Sequence, residues 1–259
     1  MNDNKRVKVE HLHYIFISAI IFTFVALVAI LHNFDNDYWF ILTIGRHIIE
    51  NGEIPVHNIW TWHEGFDVVI QQWLVAIIDY IFYSKLGKNI GLIILKTILI
   101  ALANIMIYKY SSLYTENKKA KLITLLVCNI LLAMYYSVRP QAFTMTILIF
   151  EIYTLENYVR NNMSTKKFIL IMCVLSILEI NMHAAMWPFL MILLVPYIFP
   201  RLYILKNDIS TDKVKYISIS FILMLLLGFI NPNGLNGMIY VFESFEKADN
   251  LIMSEMHPP

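Results

Sequence analysis

The stretch NIGLIILKTILIALANIMIY, residues 89–108, carries a single charge, Lys96, in an otherwise apolar run. As a helix rising 1.5 Å per residue it measures about 30 Å, the thickness of a bilayer's hydrocarbon. Runs of the same kind recur at about 14–31, 122–138, 141–158, 168–182, 184–199 and 216–230. Together they predict an all-α, polytopic membrane helix bundle of about seven transmembrane helices, forming one module over 1–259. Composition agrees: 58% of residues are hydrophobic and 15% charged, against about 25% charged in a soluble domain. Mean hydropathy is +0.61. A net charge of +1 offers no field that would draw nucleic acid. Cys128 and Cys173 fall inside apolar runs and read as small core residues. The run 14–31 follows basic residues but exceeds a signal peptide's apolar core, so it reads as an uncleaved anchor.

The stretch 68–86 is apolar but broken by Gln71, Gln72, Asp79 and Lys85. Lysine and arginine decide how to read it, because they collect on the cytoplasmic side. If 68–86 lies on the surface and the N-terminus is cytoplasmic, fourteen of the twenty Lys and Arg face inward. If it crosses, the four lysines of 109–121 face outward. The sequence therefore predicts a multi-pass cell-membrane protein. Its first external loop is 33–88, and its external C-terminal segment is 231–259. That first loop is acidic: Asp35, Asp37, Glu50, Glu53, Glu64 and Asp67 are opposed only by Arg46.

Asp35 and Asp37 stand at the mouth of the first run, just before Trp39, an interfacial residue type. A carboxylate at that depth is poorly hydrated, which raises its basicity and suits a general base. The pair could also hold a divalent cation. The plain alternative is a helix-end turn with Asp35 as N-cap. Arg139 ends a run on the same side, ahead of Pro140. A guanidinium there can fork a lipid phosphate or snorkel to headgroups. His183 closes the run 168–182, and Glu179, one helical turn earlier, could fix its tautomer. The plain alternative is structural pairing of the two. Asn231-Pro232-Asn233-Gly234 is a turn signature whose role is geometric. His57 and His63 have no zinc-site spacing. Trp60, Trp62 and Trp73 read as headgroup anchors rather than sugar platforms. Asp79, Lys96 and Glu151 are charges in apolar surroundings with no evident role.

The run FDNDYWFILTIGRHIIENGEIPVHNIWTWHEGFDVVIQQWL, residues 34–74, resembles the first external loop of bacterial polyprenyl-phosphate-dependent glycosyltransferases of the GT-C fold. In order, VRPQAFTM (138–145), INMHAAM (180–186), GFINPNGLNGMIYVFE (228–243) and SEMHPP (254–259) resemble later pieces of the same family. The resemblance implies a seven-span N-terminal module of longer relatives, with two juxtamembrane helices in the first loop. It implies that Asp35 or Asp37 is the catalytic base, with Asp35, nearer the membrane, slightly favoured. Arg139, His183, Arg46, Trp39 and Gln71 are then expected to bind substrate, supported by Glu179 and Asn181. The expected partners are membrane lipid, a polyprenyl-phosphate sugar donor and an acceptor on the outer face. The sequence departs from the family's pattern at Asn36, Phe40, Ala184 and Met256, which leaves the sugar unassigned. Two rival readings are a transporter or flippase for lipid-linked sugars and a non-catalytic scaffold that keeps the fold.

Overall fold

A computed structural model of the chain describes residues 36–60, 67–136, 139–161, 163–199 and 209–250. The run 14–31, expected to be the first span, lies outside them. Among the described residues the fold is all-helical: α1 (Asn36–Asn51), α2 (Trp73–Lys85), α3 (Asn89–Ser112), α4 (Lys118–Leu132), α5 (Gln141–Arg160), α6 (Thr165–Met182), α7 (Trp187–Ile198), α8 (Thr211–Leu227) and α9 (Gly234–Asn250). Short 3₁₀ turns, Ala133–Tyr135 and Ala184–Met186, follow α4 and precede α7.

Local chemistry sets several boundaries. Asn117 caps α4, its side-chain oxygen accepting from the N–H groups of Lys119 and Ala120 at 3.0 and 3.3 Å, which satisfies donors the helix itself leaves open. Pro140 stands directly before α5, where its missing N–H costs nothing. Gly52 ends α1 with φ 74° and donates back to Ile48 O at 2.9 Å, a left-handed cap that glycine adopts without strain.

The chain divides into two compact units. One comprises 1–38 and 82–153, the other 39–81 and 154–259, the boundaries falling inside α1, α2 and α5. In the first unit α3 packs on α4 around Ile100, Ile107, Leu125 and Tyr136. Asn129 donates to Asn104 Oδ1 across that pair at 2.6 Å. In the second unit α8 packs against both α6 and α7. The buried indole of Trp187 donates to Ser176 Oγ at 2.8 Å, and Ser176 Oγ donates to Met224 O at 3.0 Å. This relay stitches three apolar helices together through groups that would otherwise be stranded. In the same unit α1 and α2 meet around Ile41, Ile44, Ile48, Ile70 and Ala76. They approach so closely that a Cβ at Gly45 would strike the Ala76 carbonyl.

One helix among the described residues, α3, is long and apolar enough to cross a membrane, with 24 residues and mean hydropathy 2.4 over its best window. The expected spans coincide in position with α4 to α8 but are less uniform than a hydropathy reading suggests. The 122–138 run stops being α-helical at Leu132, and 184–199 keeps only 12 α-helical residues, about 18 Å of rise. α5 contains Glu151, Glu156 and Arg160; α6 contains Lys166, Lys167 and Glu179. The expected seven crossings are thus not established by the described helices, of which one meets the length and hydropathy of a span. Burial is distributed unusually. On α3 the outward stripe is Ile90, Ile94, Ile98, Leu102 and Ile105, whereas Lys96 is 2% exposed. Asp79, Glu151, Glu156 and Glu179 are buried as well.

Candidate functional site

Two places gather the residues singled out in the sequence, one in each unit. In the first, Asp37, in the first turn of α1, pairs with Arg139, just before α5, at 3.1 Å between Oδ2 and Nη2. The Asp37 side chain is 66% exposed and that of Arg139 26%, so water reaches the carboxylate while the guanidinium is largely enclosed. An exposed pair of this kind contributes about 0–1 kcal/mol to folding. Its value is positional: it fixes a planar cation beside a carboxylate at a helix N-terminus, where negative charge is also favoured by the backbone dipoles. Asp35, the favoured base, lies outside the described residues. For a divalent cation at the pair, the fit at Asp37 is poor, because Arg139 already supplies positive charge to that carboxylate. No group of three or more metal-type ligands occurs among the described residues, and no chemistry below is routed through a metal.

In the second unit a narrow cleft is lined by Gln71, Trp73, Ile180, Ala184, Asn231 and Asn233, with Gly237. Three of the motifs quoted above thus meet here: 71–74, 180–186 and 228–243. Asn181 holds them. Its Oδ1 accepts from Trp73 Nε1 at 2.9 Å, and its Nδ2 donates to Ile177 O and Ile230 O at 2.7 and 2.9 Å. Asn231 is committed in the same way, donating to Gly228 O and Gly234 O and accepting from Asn233 N. A Cβ at Gly237 would collide with Asn231 Oδ1, which explains a glycine in that turn. These amides are structural. The half-buried side chains of Gln71 and Asn233 face the cleft beside them.

His183 caps α6 in the break before α7. Its N–H donates to Glu179 O at 2.8 Å, and its carbonyl accepts from Met186 N at 2.9 Å. Burial lowers the imidazole pKa to about 4, so at neutral pH it is uncharged. It can meet a phosphate with a hydrogen bond, as the sequence reading allows, but not with a positive charge. Glu179 is fully buried on the same helix. Arg46 is a surface residue, its Nε donating to Glu50 at 2.9 Å; that contact raises its pKa further. Trp39 is 49% exposed, a position suited to an interface. Two of the three tryptophans taken for headgroup anchors turn inward: Trp73 bonds Asn181, and Trp60 packs edge-on against Phe40 at 5.4 Å. Trp62 lies outside the described residues.

The sequence reading overlooked Trp73 as a tie to Asn181, and Asn233 as a cleft residue. An asparagine inside the last turn of an apolar run, at Asn181, was the signal for the first. Nothing in spacing distinguishes Asn233 from an ordinary turn residue. Comparison of the chain with family models, with curated proteins and with solved structures gives no match.

Proposed function

We propose that the chain is a GT-C-like membrane glycosyltransferase, or the N-terminal module of one, moving a sugar from a polyprenyl-phosphate donor to an acceptor on the extracytoplasmic face. The observation that carries this reading is the 3.1 Å pairing of Asp37 with Arg139. The sequence nominated each separately, one as base and one as phosphate ligand. The membrane setting is supported by the stripe of exposed isoleucine and leucine on α3 beside buried charge, since an apolar patch of that extent marks a lipid or partner surface. On this reading the expected runs cross the bilayer and α1 and α2 lie along its outer face.

The chemistry follows from the pair. Asp37, or Asp35 next to it, takes the proton of an acceptor hydroxyl as its oxygen attacks the anomeric carbon. The bond from that carbon to the phosphate oxygen breaks, and the lipid phosphate leaves with the electron pair. Arg139 meets the charge that develops on the leaving phosphate. His183 acts as a neutral hydrogen-bonding group. The rival transporter reading gains from Asn129, Lys96 and Glu151 inside the first unit, because buried polar groups within spans mark pathways.

Sugar transfer in membranes distinguishes these. Asp37→Asn and Arg139→Gln should each lower transfer by about 100-fold or more with the protein still folded. The double exchange Asp37→Arg with Arg139→Asp should restore the ion pair and leave transfer lost. Full transfer by Asp37→Asn and by Asp35→Asn would remove the base assignment, and movement of lipid-linked sugar without transfer would favour the transporter.

A further inference from the structure

The last described helix, α9, shows three kinds of surface. At about 100° per residue, Gly237, Met238 and Val241 share one arc of it and are buried. Leu235, Ile239 and Phe242 share the next arc and are 61%, 45% and 60% exposed. Asn236, Tyr240 and Glu243 make the third arc. A helix that packs on protein and otherwise meets water needs only two faces, one apolar and one polar. α9 has a second apolar face that its packing does not use, set between the packed arc and the polar one.

Its placement says what covers that face. Met238 Sδ and the Trp187 ring close on Gly228, the residue that caps α8, where a Cβ would stand 3.1 Å from the sulfur and 2.7 Å from the ring. α9 also packs on the 3₁₀ turn Ala184–Met186, so its start is fastened to the end of α8 and the start of α7. On α8, Ile222, Leu225 and Leu226 form one exposed apolar face, and Phe229 and Ile230 carry it to the turn 231–234. Leu235, directly after that turn, resumes it. Since α8 is an expected span, acyl chains cover its stripe, and the free apolar face of α9 continues the same surface. α9 does not follow that surface across the bilayer. Glu243, Glu246, Lys247 and Asp249 are four charges that hydrocarbon does not accept.

We propose that α9 is an interfacial helix lying in the outer leaflet, with Leu235, Ile239 and Phe242 sunk about 5–10 Å into the boundary between headgroups and acyl chains. The occupant of the free face is the lipid surface itself and not a second protein, because the stripe it extends is a lipid-facing one and the arc beside it is polar. Gly237, on the packed arc, lines the cleft together with Asn233. One helix thus borders the cleft on one side and lipid on the other, which holds the cleft at the level of the headgroups. The inference rests on the membrane part of the functional reading and requires neither sugar transfer nor the Asp37–Arg139 pair.

The test is depth-resolved quenching in the full chain, reconstituted into phosphatidylcholine vesicles with Cys128 and Cys173 replaced by alanine. A fluorescent label is carried on one introduced cysteine: Ile239→Cys on the free apolar arc, Asn236→Cys on the polar arc, or Ile222→Cys on α8. The quenchers are iodide in the water and phosphatidylcholine bearing a nitroxide either near its headgroup or deep in its acyl chain. At position 239 the shallow nitroxide should quench at least about twofold more than the deep one, and iodide should do little. Iodide should dominate at 236, and the deep nitroxide at 222. Iodide quenching 239 as strongly as 236 would overturn the proposal. So would stronger quenching of 239 by the deep nitroxide, or quenching there by no probe at all, which would mean that protein covers the face. Should Ile239→Cys fail to fold, Phe242→Cys carries the same test from the same arc. Any of these failures alongside deep quenching at 222 defeats this inference alone. Shallow quenching at 239 with no lipid quenching at 222 would leave α9 at the interface and defeat the crossing of α8.

Discussion

The Asp37–Arg139 pair and the Asn181 cleft are built from opposite materials. The first is a charge contact open to water, so it adds little to stability and is suited to changing partners during a reaction. The second is a set of neutral amides whose donors and acceptors are already spent on backbone and indole. The contrast teaches where to look for chemistry and where for scaffolding. A saturated network positions its neighbours, whereas a solvent-facing ion pair has capacity left to engage a substrate.

The sharpest way to break the contrast is to truncate Asn181. Asn181→Ala strands Trp73 Nε1 and the Ile230 carbonyl together, and should destabilise the protein by about 3–5 kcal/mol. Denaturant unfolding in detergent measures this, and a loss under about 1 kcal/mol would mean the network is not structural. Next in size, Gly45→Ala forces α1 away from the Ala76 carbonyl and should cost about 2–4 kcal/mol, seen as a lowered melting temperature.

Protonation gives a smaller effect. Burial raises the Asp79 carboxyl to about 8 and lowers His183 to about 4. The folded state therefore keeps Asp79 protonated where the unfolded chain has released its proton, and stability falls as pH rises from about 4 to 8. For His183 the unfolded chain takes up the proton first, so stability falls as pH drops from about 6.5 to 4. The two slopes oppose each other below about pH 6.5, and only that of Asp79 acts above it. Stability should decline by up to about 2 kcal/mol between pH 6.5 and 8, and Asp79→Asn should flatten that decline. A parent profile already flat there would contradict the burial argument. Smallest of all, Asp37→Asn should shift stability by less than about 1 kcal/mol. A larger loss would make the ion pair part of the scaffold and erase the contrast.

The apolar runs and the proline before α5 were legible in the sequence as local signals, whereas the cap at Asn117 and the glycine stop at Gly52 appear only in the structure. The nomination of Asp37 and Arg139 was legible as well, but their contact was not, since it depends on how α1 and α5 are brought together. The helix lengths were misjudged for a related reason. Hydropathy counts Ala133 to Tyr135 as continuous with α4, whereas the backbone tightens there into a 3₁₀ turn. Lys96 read as a stray charge because a sequence does not reveal that its amine is enclosed. Trp73 and Trp60 read as anchors because composition alone cannot say which way an indole turns.

The account stands on Asp37 facing the outside at the membrane boundary. A single cysteine at position 37, in a chain whose Cys128 and Cys173 have been replaced by alanine, can be tested with a membrane-impermeant thiol reagent on intact cells. Labelling without permeabilisation is the predicted result. Labelling only after the cells are opened would place the acidic loop in the cytosol and contradict the account.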